Sequence, residues 1–259
     1  MWKLAIIKGD LSEMRKVSRV ALPTKNKTYL TRRHNNAMSL LASGQLNIDS
    51  QWKSARQTKN MDEVLVFLKV MAGGSERCMY CMDSHGSDIE HFFPKADYPR
   101  YMFKWKNYLL CCSECGRIKG SRFPLAGNRP LLINPIVMNP WSHLDFDPTT
   151  GAISAKYLNH KNDFSIYGVN TVETLKLDSR EYLRDQYRKT FTRIRKAFTD
   201  FVHGLIDRNE LVRSSVDLDD HYLMGWVFDG TGQNVVPFIT VRDDYPVAWD
   251  MCYEAFKMR

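Results

Sequence analysis

The chain is predicted to be α+β: a small, metal-stapled module embedded in a mainly helical surround. Three observations predict it. Two Cys-x-x-Cys pairs lie 31 residues apart, at Cys78/Cys81 and Cys112/Cys115. Apolar residues recur at helical spacing before and after them, over 61–72 and about 179–206. Between these helices the chain is punctuated by Pro130, Pro135, Pro140 and Pro148, which suits a loop wrapping a small module.

The cysteines carry the first element. Five of the six lie within 38 positions, and no secretion signal is expected, so paired Cys-x-x-Cys units point to a metal before disulfides. Four thiolates in two such pairs match a closed tetrahedral structural zinc site at Cys78, Cys81, Cys112 and Cys115. Cys111 adjoins Cys112, but only Cys112 forms a Cys-x-x-Cys with Cys115. The isolated Cys252 reads as a core residue.

The helices come next. Asn60 caps a predicted helix over 61–72, with Met61, Val64, Leu65, Leu68 and Met71 on its apolar face and Gly73-Gly74 at its end. A shorter helix over 32–41 is stopped by Gly44. Leu183, Tyr187, Phe191, Ile194, Phe198, Phe201 and Leu205 trace the longest one, for which Asp178 and Glu181 resemble a capping box. Its other face carries Arg184, Arg188, Lys189, Arg193 and Lys196, which reads either as a solvated face or as a nucleic-acid contact. Asp147-Pro148-Thr149-Thr150-Gly151 is a turn, followed by a short hairpin containing Ile153 and Tyr157. Val247, Trp249, Tyr253 and Phe256 fit a last helix docking on the core, to which Trp226 and Phe228 also belong. The organisation expected is a basic, partly helical region over 1–75, the cysteine module over 76–125 and a helical region over 126–259 packing on it.

Composition narrows the function classes. The 259 residues are 44% hydrophobic and 12% aromatic, as in globular proteins. No apolar run reaches the ~18 residues of a membrane span. The first ten residues lack a long apolar core and a cleavage site, so a cytoplasmic location is the expectation. The net charge of +8 is unevenly placed. Residues 1–77 hold 14 Lys/Arg against 6 Asp/Glu, residues 78–130 hold 8 against 5, and residues 131–259 hold 15 against 18. A basic first half suits a polyanion partner.

Between the knuckles lies Asp88-Ile89-Glu90-His91-Phe92-Phe93-Pro94-Lys95. A neutral imidazole can take a proton from water near pH 7, and an adjacent carboxylate can hold a hard divalent ion. A histidine among aromatic residues is more often structural; inside a knuckle pair the functional reading gains. Strand neighbours point to opposite faces, so Glu90 and His91 meet one site only if the strand ends or bends there. Gly116-Arg117-Ile118-Lys119-Gly120 fits a short helix closing at Gly120. Lys95, Arg117, Lys119 and Arg122 are the candidate phosphate contacts, with ordinary surface charge as the alternative for each.

The pattern Cys78-x-x-Cys81, Glu90-His91, Pro94, Asn107, Leu109, Cys112-x-x-Cys115, Lys119-Gly120 resembles the HNH endonuclease family, most like the Septu and retron-associated PtuB-type anti-phage nucleases. The resemblance is specific over 78–123, fainter over 124–200, and does not extend to residues 1–60. It implies a zinc-bound ββα-metal module that hydrolyses phosphodiester bonds, DNA favoured and RNA possible. His91 would be the general base, Glu90 a ligand of a catalytic Mg²⁺ or Mn²⁺, and Asn107 the residue orienting His91. It also implies a PtuA-type ATPase partner and a role in defence. The family's usual Asn or His after the last zinc cysteine is here Gly116, which has no side chain to ligate with; Glu114 and Asp88 are the nearby oxygen donors. That departure carries the alternative expectation, a catalytically inactive zinc-stabilised nucleic-acid-binding or adaptor subunit.

Overall fold

A computed structural model describes residues 17–258. The reading of the first ten residues therefore lies outside the described part. Three helices come first: α1 (Thr24–Ala42), α2 (Ile48–Arg56) and α3 (Lys59–Met71). β1 (Asp88–His91), β2 (Tyr108–Cys111) and α4 (Ser113–Lys119) follow in ββα order. Three small antiparallel ladders come next: β3 (Leu125–Ala126) with β4 (Arg129–Pro130), β5 (Leu144–Phe146) with β6 (Ile153–Ala155), and β7 (Tyr157–Leu158) with β8 (Asp163–Phe164). The rest is helical: α5 (Ile166–Leu175), α6 (Glu181–Val202), α7 (Arg208–Asp217), α8 (Leu223–Asp229), α9 (Phe238–Asp244) and α10 (Pro246–Lys257). The fold is α+β.

α3 matches its periodicity, burying Met61, Val64 and Leu68, although Thr58 rather than Asn60 is its N-cap. α1 starts eight residues before the expected helix. Its first half is mostly polar and shows little apolar periodicity. It is held by polar contacts: Asn26 Nδ2 donates to Glu63 Oε2 at 3.0 Å, and the Tyr29 and Thr58 hydroxyls pair at 2.9 Å.

α6 buries Leu183, Tyr187, Phe191, Ile194 and Phe198, each contributing roughly 1.5–3 kcal/mol of apolar burial. Two expectations fail at its ends. The N-cap is Arg180, with no side-chain cap bond, so Asp178 and Glu181 make no capping box. The helix stops at Val202, and Gly204 (φ +73°) turns the chain, leaving Leu205 71% exposed rather than on the apolar face.

The Asp147–Gly151 turn joins β5 to β6, with the Asp147 carboxylate accepting from Thr149 N at 2.8 Å. Ile153 belongs to that hairpin, whereas Tyr157 belongs to the next one. The C-terminal helices close over Trp226, Phe228 and Phe256, all buried as expected. The fully buried Asp219 carboxylate accepts from Leu223 N and Met224 N, at 2.7 and 3.0 Å, and so fixes the start of α8. Cys252 is buried there, and burial pushes its thiol up to about 11. Among the described residues no helix is long and apolar enough to cross a membrane.

Candidate metal centre and adjoining carboxylate–histidine site

The first knuckle follows α3 in a tight turn, where Cys78 N donates to Ser84 O at 2.9 Å. The second begins α4: Cys112 is its N-cap, and its sulfur accepts from Cys115 N at 3.4 Å. Met79 N donates to Leu110 O at 2.9 Å and so pins the first turn to β2. The four sulfurs of Cys78, Cys81, Cys112 and Cys115 consequently lie within 4.8 Å of one another, all buried. The Cys81 and Cys112 sulfurs are 3.9 Å apart. A tetrahedron with ~2.3 Å zinc–sulfur bonds requires sulfurs about 3.8 Å apart, so the donor set and spacing fit zinc. Cys112 belongs to this tetrad and Cys111 does not. The Cys111 thiol lies beside it, 3.9 Å from the Cys78 sulfur, and donates to Cys112 O at 3.3 Å.

The C-terminal half surrounds this centre. Arg180 Nη1 donates to the Cys115 sulfur at 3.3 Å, and Nη2 pairs with Glu114. The Tyr187 hydroxyl donates to Cys81 O. Asp83, just past the first knuckle, accepts from His221 Nε2 at 2.9 Å.

β1 runs antiparallel to β2, with Glu90 opposite Leu109 and His91 opposite Tyr108. The strand ends at His91 without bringing its side chain to that of Glu90. Glu90 faces α4: Lys119 Nζ donates to Glu90 Oε1 at 2.8 Å and to His91 O at 2.9 Å. Burial pushes the Glu90 carboxyl up, and the Lys119 ammonium opposes that without cancelling it. Lys119 is fully buried. The expectation that it meets phosphate at the surface is corrected: its charge is spent internally on Glu90.

His91 faces the other way, packed against Trp52 of α2 with ring centroids 4.4 Å apart and against Tyr108 at 5.3 Å. Its Nε2 lies 2.9 Å from Met102 O. A carbonyl only accepts, so Nε2 carries the proton and the neutral ring keeps its lone pair on Nδ1. Burial pulls the imidazole down to about 4, and it is neutral at pH 7.

Among the described residues the Asn107 side chain bonds to Phe93 and Tyr101 and not to His91. Its Oδ1 accepts from Phe93 N at 2.7 Å, and its Nδ2 donates to Phe93 O and Tyr101 O at 3.0 and 3.1 Å. It clamps the turn that follows β1, so any influence on His91 passes through the backbone. Lys95 pairs with Asp49 of α2 at 2.9 Å. Arg117 and Arg122 are exposed. The two alternative oxygen donors are occupied: Arg56 of α2 holds Asp88 at 3.0 Å, and Arg180 holds Glu114.

α2 thus touches the strand region through Asp49, Trp52 and Arg56, spaced along one helical face. Sequence reasoning missed this helix because it is short and lies in a polar segment. A tryptophan between charged residues at i−3 and i+4 was the available signal.

Gly116 sits in α4 with its missing side chain directed at the carboxylate. A β-carbon there would lie 3.6 Å from Glu90 Oε2 and 3.9 Å from the Cys111 sulfur. Gly120, at φ +51°, closes the helix as expected.

No family model matches the chain. It is similar to the Septu protein PtuB of Bacillus thuringiensis, 26% identical over 113 residues that make up 42% of each chain. It is also similar to the Septu protein PtuB of Bacillus mycoides (strain KBAB4), 28% identical over 189 residues, 61% of each. The matches span less than two thirds of the length of these curated relatives.

Proposed function

We propose that this chain hydrolyses phosphodiester bonds of nucleic acid, DNA favoured and RNA possible, as the effector of a PtuB-type Septu anti-phage system with a partner ATPase. The observation that carries the chemistry is the His91–Met102 hydrogen bond, which leaves Nδ1 as the basic atom. His91 takes the proton of an attacking water. The water oxygen bonds to phosphorus as the bond to the 3′ oxygen breaks, and that oxygen leaves to be protonated by solvent. Lys95, Arg117 and Arg122 are the phosphate contacts in this reading. Cys78, Cys81, Cys112 and Cys115 would hold a zinc ion, which would rigidify the ββα element and take no part in the chemistry. The PtuB resemblance supports the defence role and the ATPase partner.

A catalytic Mg²⁺ or Mn²⁺ fits these residues poorly. Glu90 is one carboxylate, already paired with the Lys119 ammonium, and Gly116 adds no donor. No step is routed through such an ion.

The same two observations, together with the burial of His91 to 5% exposure, favour a second reading: a zinc-stabilised nucleic-acid-binding or adaptor subunit without hydrolysis. The deciding experiment is cleavage of plasmid and RNA by the intact chain and by His91→Ala, with Mg²⁺, Mn²⁺ or chelator, with and without the ATPase. Cutting that disappears in the variant supports hydrolysis. Zinc-loaded, folded protein that cuts under no condition overturns it in favour of the adaptor.

A further inference from the structure

We infer that the groove between α1 and the 103–105 turn seats the phosphates of a nucleic-acid strand; the inference rests on the reading of the chain as a nucleic-acid protein. The groove is a cavity of about 390 Å³. Leu30, Phe103 and Trp105 form an apolar floor, and Lys27, Lys104 and His34 stand around it. Among the described residues no Asp or Glu lines it. Among the described residues neither lysine has an ion-pair partner, whereas Lys25, Lys69 and Lys95 each have one.

Two side chains at or beside the groove carry buried nitrogens without a hydrogen-bond partner among the described residues. Arg19 lies over the Trp105 ring, 4.6 Å from its centroid, and Nη2 donates to Lys106 O at 3.2 Å. Its Nε and Nη1 are buried with no hydrogen-bond partner among the described residues. Burial lowers this guanidinium to about 10, so it is a desolvated cation at neutral pH, and no acid among the described residues offsets it. His34 Nδ1 is likewise buried and unpartnered. Buried polar groups left so are costly unless something else satisfies them. Unpaired cations around an aromatic floor call for a ligand that is anionic and has a flat apolar part. A phosphodiester strand has both properties.

Position favours nucleic acid over another anion. Met102, whose carbonyl orients His91, directly precedes Phe103 of the groove floor. The rings of Trp105, Tyr108 and His91 follow one another, with centroids 6.4 and 5.3 Å apart. One turn thus presents the groove and anchors the candidate base.

The test is fluorescence polarisation of a labelled 20-nucleotide single strand, DNA and RNA, across a salt series, with zinc-loaded full-length protein. His91→Ala serves as the parent to prevent cutting. Lys27→Gln/Lys104→Gln removes two exposed charges; Lys161→Gln/Lys176→Gln removes the same charge from the β7–β8 connection and the end of α5. The groove pair is expected to weaken binding about tenfold or more and to lower the slope of log K against log salt by about 1.4, with the control pair changing little. Equal losses from both pairs, or none, overturn the groove while leaving hydrolysis to stand or fall on the cleavage experiment. A parent that binds no oligonucleotide but binds inorganic phosphate or an acidic peptide at Lys27 and Lys104 overturns the nucleic-acid assignment. Binding of nothing overturns the site.

Discussion

Trp52 and His91 meet with their rings 70° apart and their centroids 4.4 Å from each other, so a helix outside the cysteine module covers the candidate base. Together with the Asp49–Lys95 and Arg56–Asp88 pairs, this contact makes α2 a cover over the strand. Trp52→Ala is expected to cost about 1–3 kcal/mol, below the full range for a core tryptophan because the ring is only half-buried. It is also expected to speed carbethoxylation of His91 several-fold, followed by peptide mass spectrometry. An unchanged rate would mean that α2 does not limit access.

The Glu90–Lys119 pair makes a second prediction. Removing one partner of a buried pair strands the other charge. Lys119→Met is therefore expected to destabilise the chain by about 3–5 kcal/mol in urea unfolding. Glu90→Gln/Lys119→Met should recover much of that loss. A double variant no better than the single would show that packing of the lysine stem, not charge, is what Lys119 contributes.

Much of the ββα element was legible in the sequence because its residues carry local signals. Paired cysteines, Gly120 after a short helical run and the Met61–Leu68 stripe each specify their geometry within one turn. The relations that failed are long-range. Asp178 and Glu181 have the right spacing for a cap, but Arg180 is the N-cap, and its guanidinium reaches Cys115, 65 residues back. Lys119 reads as a surface cation until β1 is placed beside α4. Asn107 was singled out, yet its partners are the backbone of Phe93 and Tyr101, which no side-chain pattern encodes. α2 was invisible for the same reason: its importance lies in what it touches.

Gly116 gives a third prediction. A β-carbon there meets only ordinary contacts, and replacing glycine within a helix is mildly favourable, so Gly116→Asn is expected to leave stability within about 1 kcal/mol. It places an oxygen donor beside Glu90. Mn²⁺ binding, followed by electron paramagnetic resonance, should be measurably tighter than in the parent. Unchanged binding would show that Lys119, rather than the missing ligand, keeps a divalent ion away.

The tetrad makes a fourth. One zinc per chain is expected by elemental analysis, and cobalt substitution should give the absorption of tetrahedral thiolate coordination. Cys112→Ser should lose the metal to a chelator at least tenfold faster than the parent, while Cys111→Ser should retain it, since only Cys112 belongs to the tetrad. Equal losses would mean that Cys111 serves as a ligand. Cys252, buried and with a raised thiol, should stay unreactive toward alkylating agents after chelation and react only on unfolding.

The contacts of Cys81, Asp83 and Cys115 with Tyr187, His221 and Arg180 bear on how this chain can be divided. Each joins a knuckle to a residue at least 65 positions later, in a segment that sequence organisation assigns to a different region. A fragment cut at residue 125 would keep all four thiols and lose the hydrogen bonds that brace them. The knuckles act as a keystone, held by the arch around them as well as by any metal their thiols bind. Grafting residues 76–125 alone onto another scaffold would carry over the ligands without the walls that set their geometry.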